Sequence, residues 1–183
     1  GCWVVAFGIE SGDDVMLQQM KKNATVEQAR EAVDCVKRNG LRVHTFFVIG
    51  LPWETEETLQ RSFEFLRELD PDFFDFNVAT PLPGTELHDI ALREELFEEH
   101  YNPARTGYAS GATRTLSGLS SEFLTEWRRR HLMKMYLRPR YIARMFAKAG
   151  GPKQTMQYAK AGVKRLRQLV KTRGQGSGVR DQG

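Results

Sequence analysis

Apolar residues in the first half of the chain form two kinds of segment, short continuous runs and longer stretches with helical spacing. Three runs rich in β-branched and aromatic residues stand out, at residues 3–9, 43–51 and 73–82. Nearly continuous apolar runs of this length are typical of strands that are covered on both faces. We therefore predict three buried strands.

Residues that are typical of helix N-caps and C-caps separate these runs. Thr25-Val26-Glu27-Gln28 is a capping-box motif and Asn39-Gly40 is a stop signal, so we predict a helix over residues 25–38. A second helix is predicted over residues 56–69, and a short amphipathic segment over residues 15–20.

The order strand, helix, strand, helix, strand indicates an α/β fold with a parallel sheet and right-handed crossovers. Folds of this class bind ligands at the carboxyl ends of their strands. The three strand ends lie in residues 8–11, 49–52 and 80–85. We expect these segments to converge on one site.

The pattern changes after residue 100. Residues 101–118 are rich in small and polar residues and are typical of a loop, whereas helices are predicted over residues 119–137, 140–149 and 153–173. Ser120 or Ser121 is expected to cap the first of these helices. We predict an α/β part over residues 1–100, a basic helical extension over residues 101–173 and a disordered tail over residues 174–183.

The chain of 183 residues has 40% hydrophobic residues, enough to build a core, and a formal net charge of +4. That small value conceals two halves: residues 1–100 carry a net charge of −11 and residues 101–183 a net charge of +15. No apolar run reaches the roughly 20 residues of a membrane-spanning helix, and the start lacks a secretory leader. We expect a soluble, cytoplasmic chain whose Cys2 and Cys35 stay reduced.

Aromatic and aliphatic residues interleave with the basic residues of the extension, between Trp127 and Lys148. Such a stretch fits an amphipathic surface for anionic lipid, a docking surface for RNA, or packed helices with a solvated basic face. We favour an anionic membrane surface over nucleic acid as an external partner. Composition leaves all three interpretations open.

Candidate site residues lie at the predicted strand ends. Glu10 and Ser11 can exchange hydrogen bonds with a polar ligand, or else pair with a lysine and cap the next helix. Gly50 would let a flat ligand approach the backbone, although its position by itself favours an ordinary strand-to-helix turn. Lys21 and Lys22 follow a short helix near the first strand end, so either could reach a carboxylate, although a solvated surface lysine is the commoner case. The histidines and cysteines match no zinc spacing, and no nucleophile elbow or phosphate loop is present.

The order and spacing of these segments resemble the second half of radical S-adenosylmethionine enzymes over about residues 3–90. The tail motif Tyr136-Leu137-Arg138-Pro139-Arg140-Tyr141 resembles the cobalamin-binding branch, which includes anaerobic magnesium-protoporphyrin monomethyl ester cyclase and hopanoid-modifying enzymes. The segments that carry the first resemblance are Gly8-Ile9-Glu10-Ser11-Gly12, residues 16–22, Thr25-Val26-Glu27, residues 36–43, residues 47–55 with Gly50-Leu51-Pro52-Trp53-Glu54-Thr55, and Pro81-Leu82-Pro83-Gly84-Thr85.

The resemblance implies that residues 1–100 form the C-terminal half of a partial (β/α)6 barrel of the TIM type, strands four to six. In that family a Cys-x-x-x-Cys-x-x-Cys loop binds a four-iron four-sulfur cluster, which reduces S-adenosylmethionine. This chain has no such loop. The cluster ligands, the first three strands and any cobalamin domain are therefore expected upstream, in a missing N-terminal part, and the chain alone is expected to be inactive.

The resemblance also implies residue roles. Glu10 and Ser11 would contact the ribose or methionine moiety, and Lys22, rather than Lys21, would pair with the cofactor carboxylate. Val48, Ile49 and Gly50 would flank the adenine, and residues 81–85 would lie on the substrate side. Trp53 departs from the pattern, because the family often has glycine there.

The function implied is that of an enzyme fragment whose parent generates a deoxyadenosyl radical. We expect the parent to oxidise, cyclise or methylate a hydrophobic substrate of the tetrapyrrole or isoprenoid type. Two alternatives remain: a tRNA methylthiotransferase, and a non-catalytic degenerate barrel that docks on membranes through its basic tail.

Overall fold

A computed structural model describes residues 1–98 and 113–147, together with residues 151, 156, 157, 160, 162–164 and 167. The part of the predicted loop that precedes residue 113 lies outside these residues. The predicted tail over residues 174–183 lies wholly outside them, and the predicted helix over residues 153–173 is described only at helical positions between 156 and 167.

Three strands form a parallel sheet in the order β1 (Val4–Glu10), β2 (Arg42–Ile49) and β3 (Phe73–Val78). This arrangement confirms the predicted α/β class with a parallel sheet. The second and third strands are shorter than their apolar runs. Gly50 leaves the strand conformation at a φ of 80°, a left-handed value that glycine adopts without steric cost.

Side chains alternate between the two faces of the sheet, and one face forms the core. Along β2 and β3, Phe47, Ile49, Phe74 and Phe76 are almost completely buried. The helix α2 (Val26–Arg38) lies against β1 and β2 and also contacts α3 (Glu56–Leu69). Right-handed crossovers place both helices on the same side of a sheet with sequential strand order.

The other face of the sheet is only half-buried, so the prediction that both faces are covered is not met within the described residues. His44, Phe46 and Phe73 occupy this open face and contact one another through their rings. His44 Nε2 lies 3.6 Å from Asp75 Oδ2 on the neighbouring strand. Continuous apolar composition therefore does not distinguish the two faces in this sheet.

Helix boundaries follow the predicted caps. Thr25 accepts the Gln28 N–H, and the Gln28 side chain accepts the Thr25 N–H, completing the predicted capping box. Thr55 and Thr58 form the equivalent arrangement at the start of α3. The first short helix, α1 (Asp14–Gln19), is capped by Asp13, whose side chain accepts the Met16 N–H at 3.0 Å.

A further helix, α4 (Glu86–Arg93), was not among the predicted elements. Thr85 caps it by accepting the His88 N–H. The segment before it, residues 81–85, was expected to lie on the substrate side, and no helix was predicted after it. Thr85 followed by Glu86, with Leu87, Ile90 and Ala91 at helical spacing, is the sequence signal that identifies it.

The basic extension contains α5 (Ser121–Tyr136) and α6 (Pro139–Ala147), close to the predicted helices. Ser120 caps the first, since its hydroxyl accepts the Phe123 N–H at 3.1 Å. Pro139 opens the second, where its missing N–H costs nothing. The chain forms two compact units, residues 1–125 and residues 126–183.

A turn at the end of β1 docks directly on α3. The Gly12 N–H donates to the Ser62 hydroxyl at 3.0 Å, and a β-carbon at Gly12 would lie 2.8 Å from the Arg61 carbonyl oxygen and from Ser62 Cα. Backbone atoms cannot yield cheaply to such a contact. Any side chain at residue 12 must therefore push the turn away from α3.

We expect Gly12→Ala to lower the free energy of unfolding by about 1–3 kcal/mol, because the added methyl group overpacks this contact. Chemical denaturation of the wild type and the variant measures the change. Gly162→Ala is the matched control, since nothing lies within 4 Å of a β-carbon there. Equal stabilities for the wild type and Gly12→Ala would contradict this description of the turn.

A buried carboxyl group stabilises the connection between β2 and α3. Glu54 is 2% exposed, accepts the Gly50 N–H at 3.2 Å and accepts the Thr58 hydroxyl. Burial raises the pKa of Glu54 to about 7, opposed by these two hydrogen bonds and supported by the charge of Asp13. The group therefore changes protonation near neutral pH.

A carboxyl group with a raised pKa in the folded state favours folding when protonated. We expect the free energy of unfolding to fall as pH rises from about 4.5 to about 7, by on the order of 3 kcal/mol, and then to level off. Glu54→Gln should remove that decline, whereas Glu56→Gln, at an exposed site on the next turn, should keep it. Urea unfolding at several pH values measures it, and an unchanged decline in Glu54→Gln would refute the assignment.

Candidate functional site

The carboxyl ends of the three strands lie along one edge of the sheet. Glu10 pairs with Phe47 in the sheet register, and Ile49 pairs with Val78. The Ala79 N–H continues the pairing by donating to the Ile49 carbonyl oxygen at 2.8 Å. The structure thus brings the predicted strand ends to a common edge.

Glu10 has an unusual backbone that turns its side chain back over the sheet. Its φ is 67°, and the pairing register shifts between Gly8 and Glu10. A β-carbon at Gly8 would lie only 2.3 Å from Glu10 Oε1, so the carboxylate occupies the space that a side chain would take. The missing side chain at residue 8 is therefore what allows this orientation of Glu10.

Lys22 lies beside that carboxylate. Its Nζ donates to Glu10 Oε1 at 3.1 Å, and both side chains remain partly exposed. Lys21 points elsewhere, because its Nζ binds Glu86 at 2.8 Å on an exposed surface. The structure therefore distinguishes the two lysines and joins Glu10 to Lys22.

Ser11 is buried and serves the turn that holds Glu10. Its hydroxyl lies 3.2 Å from the Ser62 hydroxyl and accepts the Asp13 N–H at 3.2 Å. The hydroxyl of Ser11 is therefore engaged within the protein.

Asp13, in the same turn, has a lowered pKa. Burial acts to raise the pKa of Asp13, but the Arg61 side chain and the Met16 N–H hold it below its ordinary value.

The three residues predicted to flank adenine have different environments. Val48 lies half-buried on the open face, whereas the Ile49 side chain is fully buried on the core face. Gly50 is buried, and a β-carbon there would lie 2.8 Å from Leu124 Cδ1 of α5. Val48 alone among them presents a side chain to the open face.

An apolar cluster adjoins the strand ends. The sequence interpretation did not identify it as a unit, although the i, i+4 spacing of Met16 and Met20 is a usable signal. Trp53, which stands where the resemblance expects glycine, packs against its core. The buried members are Met16, Leu51 and Ala79, with Met20, Val48, Trp53 and Leu87 packed against them.

The described residues do not fit an iron–sulfur cluster. Within residues 1–98 and 113–147 no group of three or more His, Cys, Asp or Glu side chains is arranged to hold a metal ion. Cys2 and Cys35 are both free and exposed. In the same part of the chain, no helix combines the length and apolarity needed to span a membrane.

Comparison with known proteins finds a matching family model and several relatives. Residues 1–66 match the model of the Radical SAM superfamily. An uncharacterised methyltransferase of Pyrococcus horikoshii is 33% identical over 143 residues, covering 78% of this chain and 30% of the relative.

Two further relatives represent other branches. The anaerobic magnesium-protoporphyrin IX monomethyl ester cyclase of Rubrivivax gelatinosus is 32% identical over 100 residues, covering 54% of this chain and 18% of the relative. A probable threonylcarbamoyladenosine tRNA methylthiotransferase of Pyrococcus horikoshii is 37% identical over 79 residues, covering 42% and 19%. The chain spans less than a third of the length of these relatives. The family match over residues 1–66 and these relatives confirm the resemblance of the chain to the radical SAM superfamily.

Proposed function

We propose that this chain supplies the half of a radical S-adenosylmethionine enzyme that binds the methionine and adenosine moieties of the cofactor. The observation that carries the proposal is the Glu10–Lys22 pair, which lies partly exposed at the carboxyl edge of the parallel sheet. Paired charges at that edge match a ligand that itself carries a carboxylate and an ammonium group.

The chemistry of the side chains fits S-adenosylmethionine group by group. The Lys22 ammonium would exchange its bond with Glu10 for a bond with the cofactor carboxylate. Glu10 would then accept hydrogen bonds from a ribose hydroxyl or the cofactor ammonium group. Val48, on the same open face, would contact the flat adenine, with Ile49 and Gly50 contributing backbone surface.

Ser11 would act as a positioning residue. Its hydroxyl is committed to Ser62 and to the Asp13 N–H, so it would fix the turn that follows Glu10. In this family, reduction of bound S-adenosylmethionine supplies a radical that attacks C–H bonds. The apolar cluster around Met16, Leu51 and Trp53 would border this chemistry and limit the access of water.

The three parallel strands would form half of a partial (β/α)6 barrel. The cluster ligands would come from another part of the full-length protein, and cobalamin is a further proposed cofactor of that protein. We propose a hydrophobic substrate of the tetrapyrrole or isoprenoid type. The similarity to the Rubrivivax gelatinosus enzyme, named as a cyclase of a magnesium-protoporphyrin ester, supports the tetrapyrrole class.

The second candidate is a methylthiotransferase that acts on tRNA, as the name of the 37% identical relative suggests. The extent of similarity favours the first proposal. The match to the Pyrococcus horikoshii methyltransferase covers 143 of the 183 residues and therefore reaches α5 and α6, whereas the methylthiotransferase match covers 79 residues. The helical extension is thus shared with a relative from the methyltransferase branch.

Cleavage of S-adenosylmethionine tests the proposed class of reaction. The full-length protein would be reconstituted with iron and sulfide without oxygen, reduced, and assayed for deoxyadenosine and methionine. We expect both products to form. A reconstituted protein that binds iron but does not cleave the cofactor would contradict the proposal and favour a degenerate barrel.

Lys22→Met in the full-length protein tests the cofactor contact directly. We expect S-adenosylmethionine to bind about tenfold more weakly, because a charge-assisted hydrogen bond to the cofactor carboxylate is lost. Isothermal titration measures the affinity. Lys21→Met removes an equal charge from the neighbouring residue and should leave affinity unchanged within about twofold. Equal affinities for the wild type and Lys22→Met would remove Lys22 from the site.

A further inference from the structure

One face of α6 carries large apolar side chains in contact with solvent. Ile142 and Phe146 lie four residues apart, on the same side of the helix, and are 39% and 47% exposed. Leu137, just before the helix, is 51% exposed. We call Ile142 and Phe146 the α6 apolar face.

The opposite side of α6 is held within its own compact unit. Tyr141 is buried, its ring meets Tyr136 edge-on at a centroid distance of 5.7 Å, and the Arg144 guanidinium lies 5.7 Å from its ring centre. These contacts fix the rotation of the helix about its axis. The α6 apolar face therefore points outward because the other side is already packed.

The unit that contains this face has a strongly basic sequence. Residues 126–183 contain 16 basic and 2 acidic residues, which give a formal net charge of +14. One of the two acidic residues, Glu126, is bound to Arg129 at 2.6 Å. Lys134 and Arg140, close along the chain to the α6 apolar face, are exposed.

We propose that α6 lies in the headgroup region of an anionic membrane. The α6 apolar face would enter the boundary of the acyl chains, and Lys134 and Arg140 would bind lipid phosphates. Short helices with one apolar face and basic flanks bind anionic bilayers in this way, through buried apolar area and electrostatic attraction. The charge favours this occupant, because an anionic membrane attracts a unit of formal net charge +14 and an uncharged surface does not.

The aromatic residues favour a membrane over RNA. Proteins that bind single-stranded RNA stack bases on exposed aromatic rings. Here Tyr141 is buried, and the Trp127 ring is stacked on His131 with a centroid distance of 4.0 Å. Phe146 is an exposed ring of the α6 apolar face, but Ile142 beside it is aliphatic, which suits acyl chains rather than bases.

Vesicle co-sedimentation of the full chain tests the proposal. The probes are vesicles of phosphatidylcholine alone and vesicles in which about a third of the lipid is phosphatidylglycerol. We expect binding to the anionic vesicles to be at least tenfold stronger, and to weaken severalfold when salt rises from about 0.1 M to about 1 M. Equal binding to the two kinds of vesicle, or no binding to either, would overturn the proposal.

The double variant Ile142→Ser/Phe146→Ser tests the role of the apolar face. We expect it to reduce the partition onto anionic vesicles at least tenfold without changing the circular dichroism, because both residues are exposed. Leu92→Ser is the matched control, since Leu92 is 57% exposed on α4 in the acidic half of the chain, and it should bind as the wild type does. A double variant that binds as tightly as the wild type would refute the proposal.

A single-stranded RNA competitor tests whether the basic surface binds RNA rather than anionic lipid. Displacement of the wild type from vesicles by RNA, together with tight RNA binding by the double variant, would assign the basic surface to RNA and overturn the membrane proposal. We expect the competitor to have no more effect than added salt. The assay contains no cofactor, so its result is independent of the proposed S-adenosylmethionine site.

Discussion

The docking of the turn after β1 on the backbone of α3 is the contact on which the candidate site depends. Gly12 meets the backbone of Arg61 and Ser62 with no room for a β-carbon, and Ser11 and Asp13 add polar contacts to the same helix. The turn is therefore fixed on both sides of Gly12. Glu10 lies directly before this turn, so the position of the turn determines the position of Glu10.

The same contact explains why Glu10 points toward the open face of the sheet. Its left-handed backbone, with a φ of 67°, is costly for a residue with a side chain. Two features offset that cost: Gly8 leaves space for the carboxylate, and Lys22 pairs with it. The charge pair at the strand edge is thus a consequence of backbone packing about two residues away.

The elements that sequence alone predicted well are those with local causes. The capping box at Thr25 sets the start of α2 through contacts within four residues, and the chain order of strands and helices indicates a parallel sheet. Strand ends were less predictable. The apolar run of β2 continues through Leu51, but the turn at Gly50 depends on Glu54, a buried partner whose role the sequence does not reveal.

The candidate site shows the same difference between features with local causes and features with long-range causes. The resemblance identified Glu10 and Lys22 as neighbours in function, and the structure places them 3.1 Å apart. It did not separate Ser11 from Glu10, although they are adjacent, because the burial of Ser11 depends on Ser62, which is 51 residues away. Long-range contacts of this kind decide which of two adjacent polar side chains is buried and which stays partly exposed.

The distribution of charge gives the two halves of the chain different physical tasks. In the acidic half, charges at the strand ends are paired or buried, as Asp13 with Arg61 and Glu54 with the Gly50 N–H show, so they order the backbone around a small edge. In the basic half, basic residues far outnumber the acidic residues available to pair with them, and the described part includes exposed apolar side chains such as Ile142 and Phe146. An excess of one charge sign cannot be neutralised by internal ion pairs, so it favours contact with negatively charged groups outside the chain. The residues of the candidate site and those of the α6 apolar face are different, so a change in one set leaves the other intact.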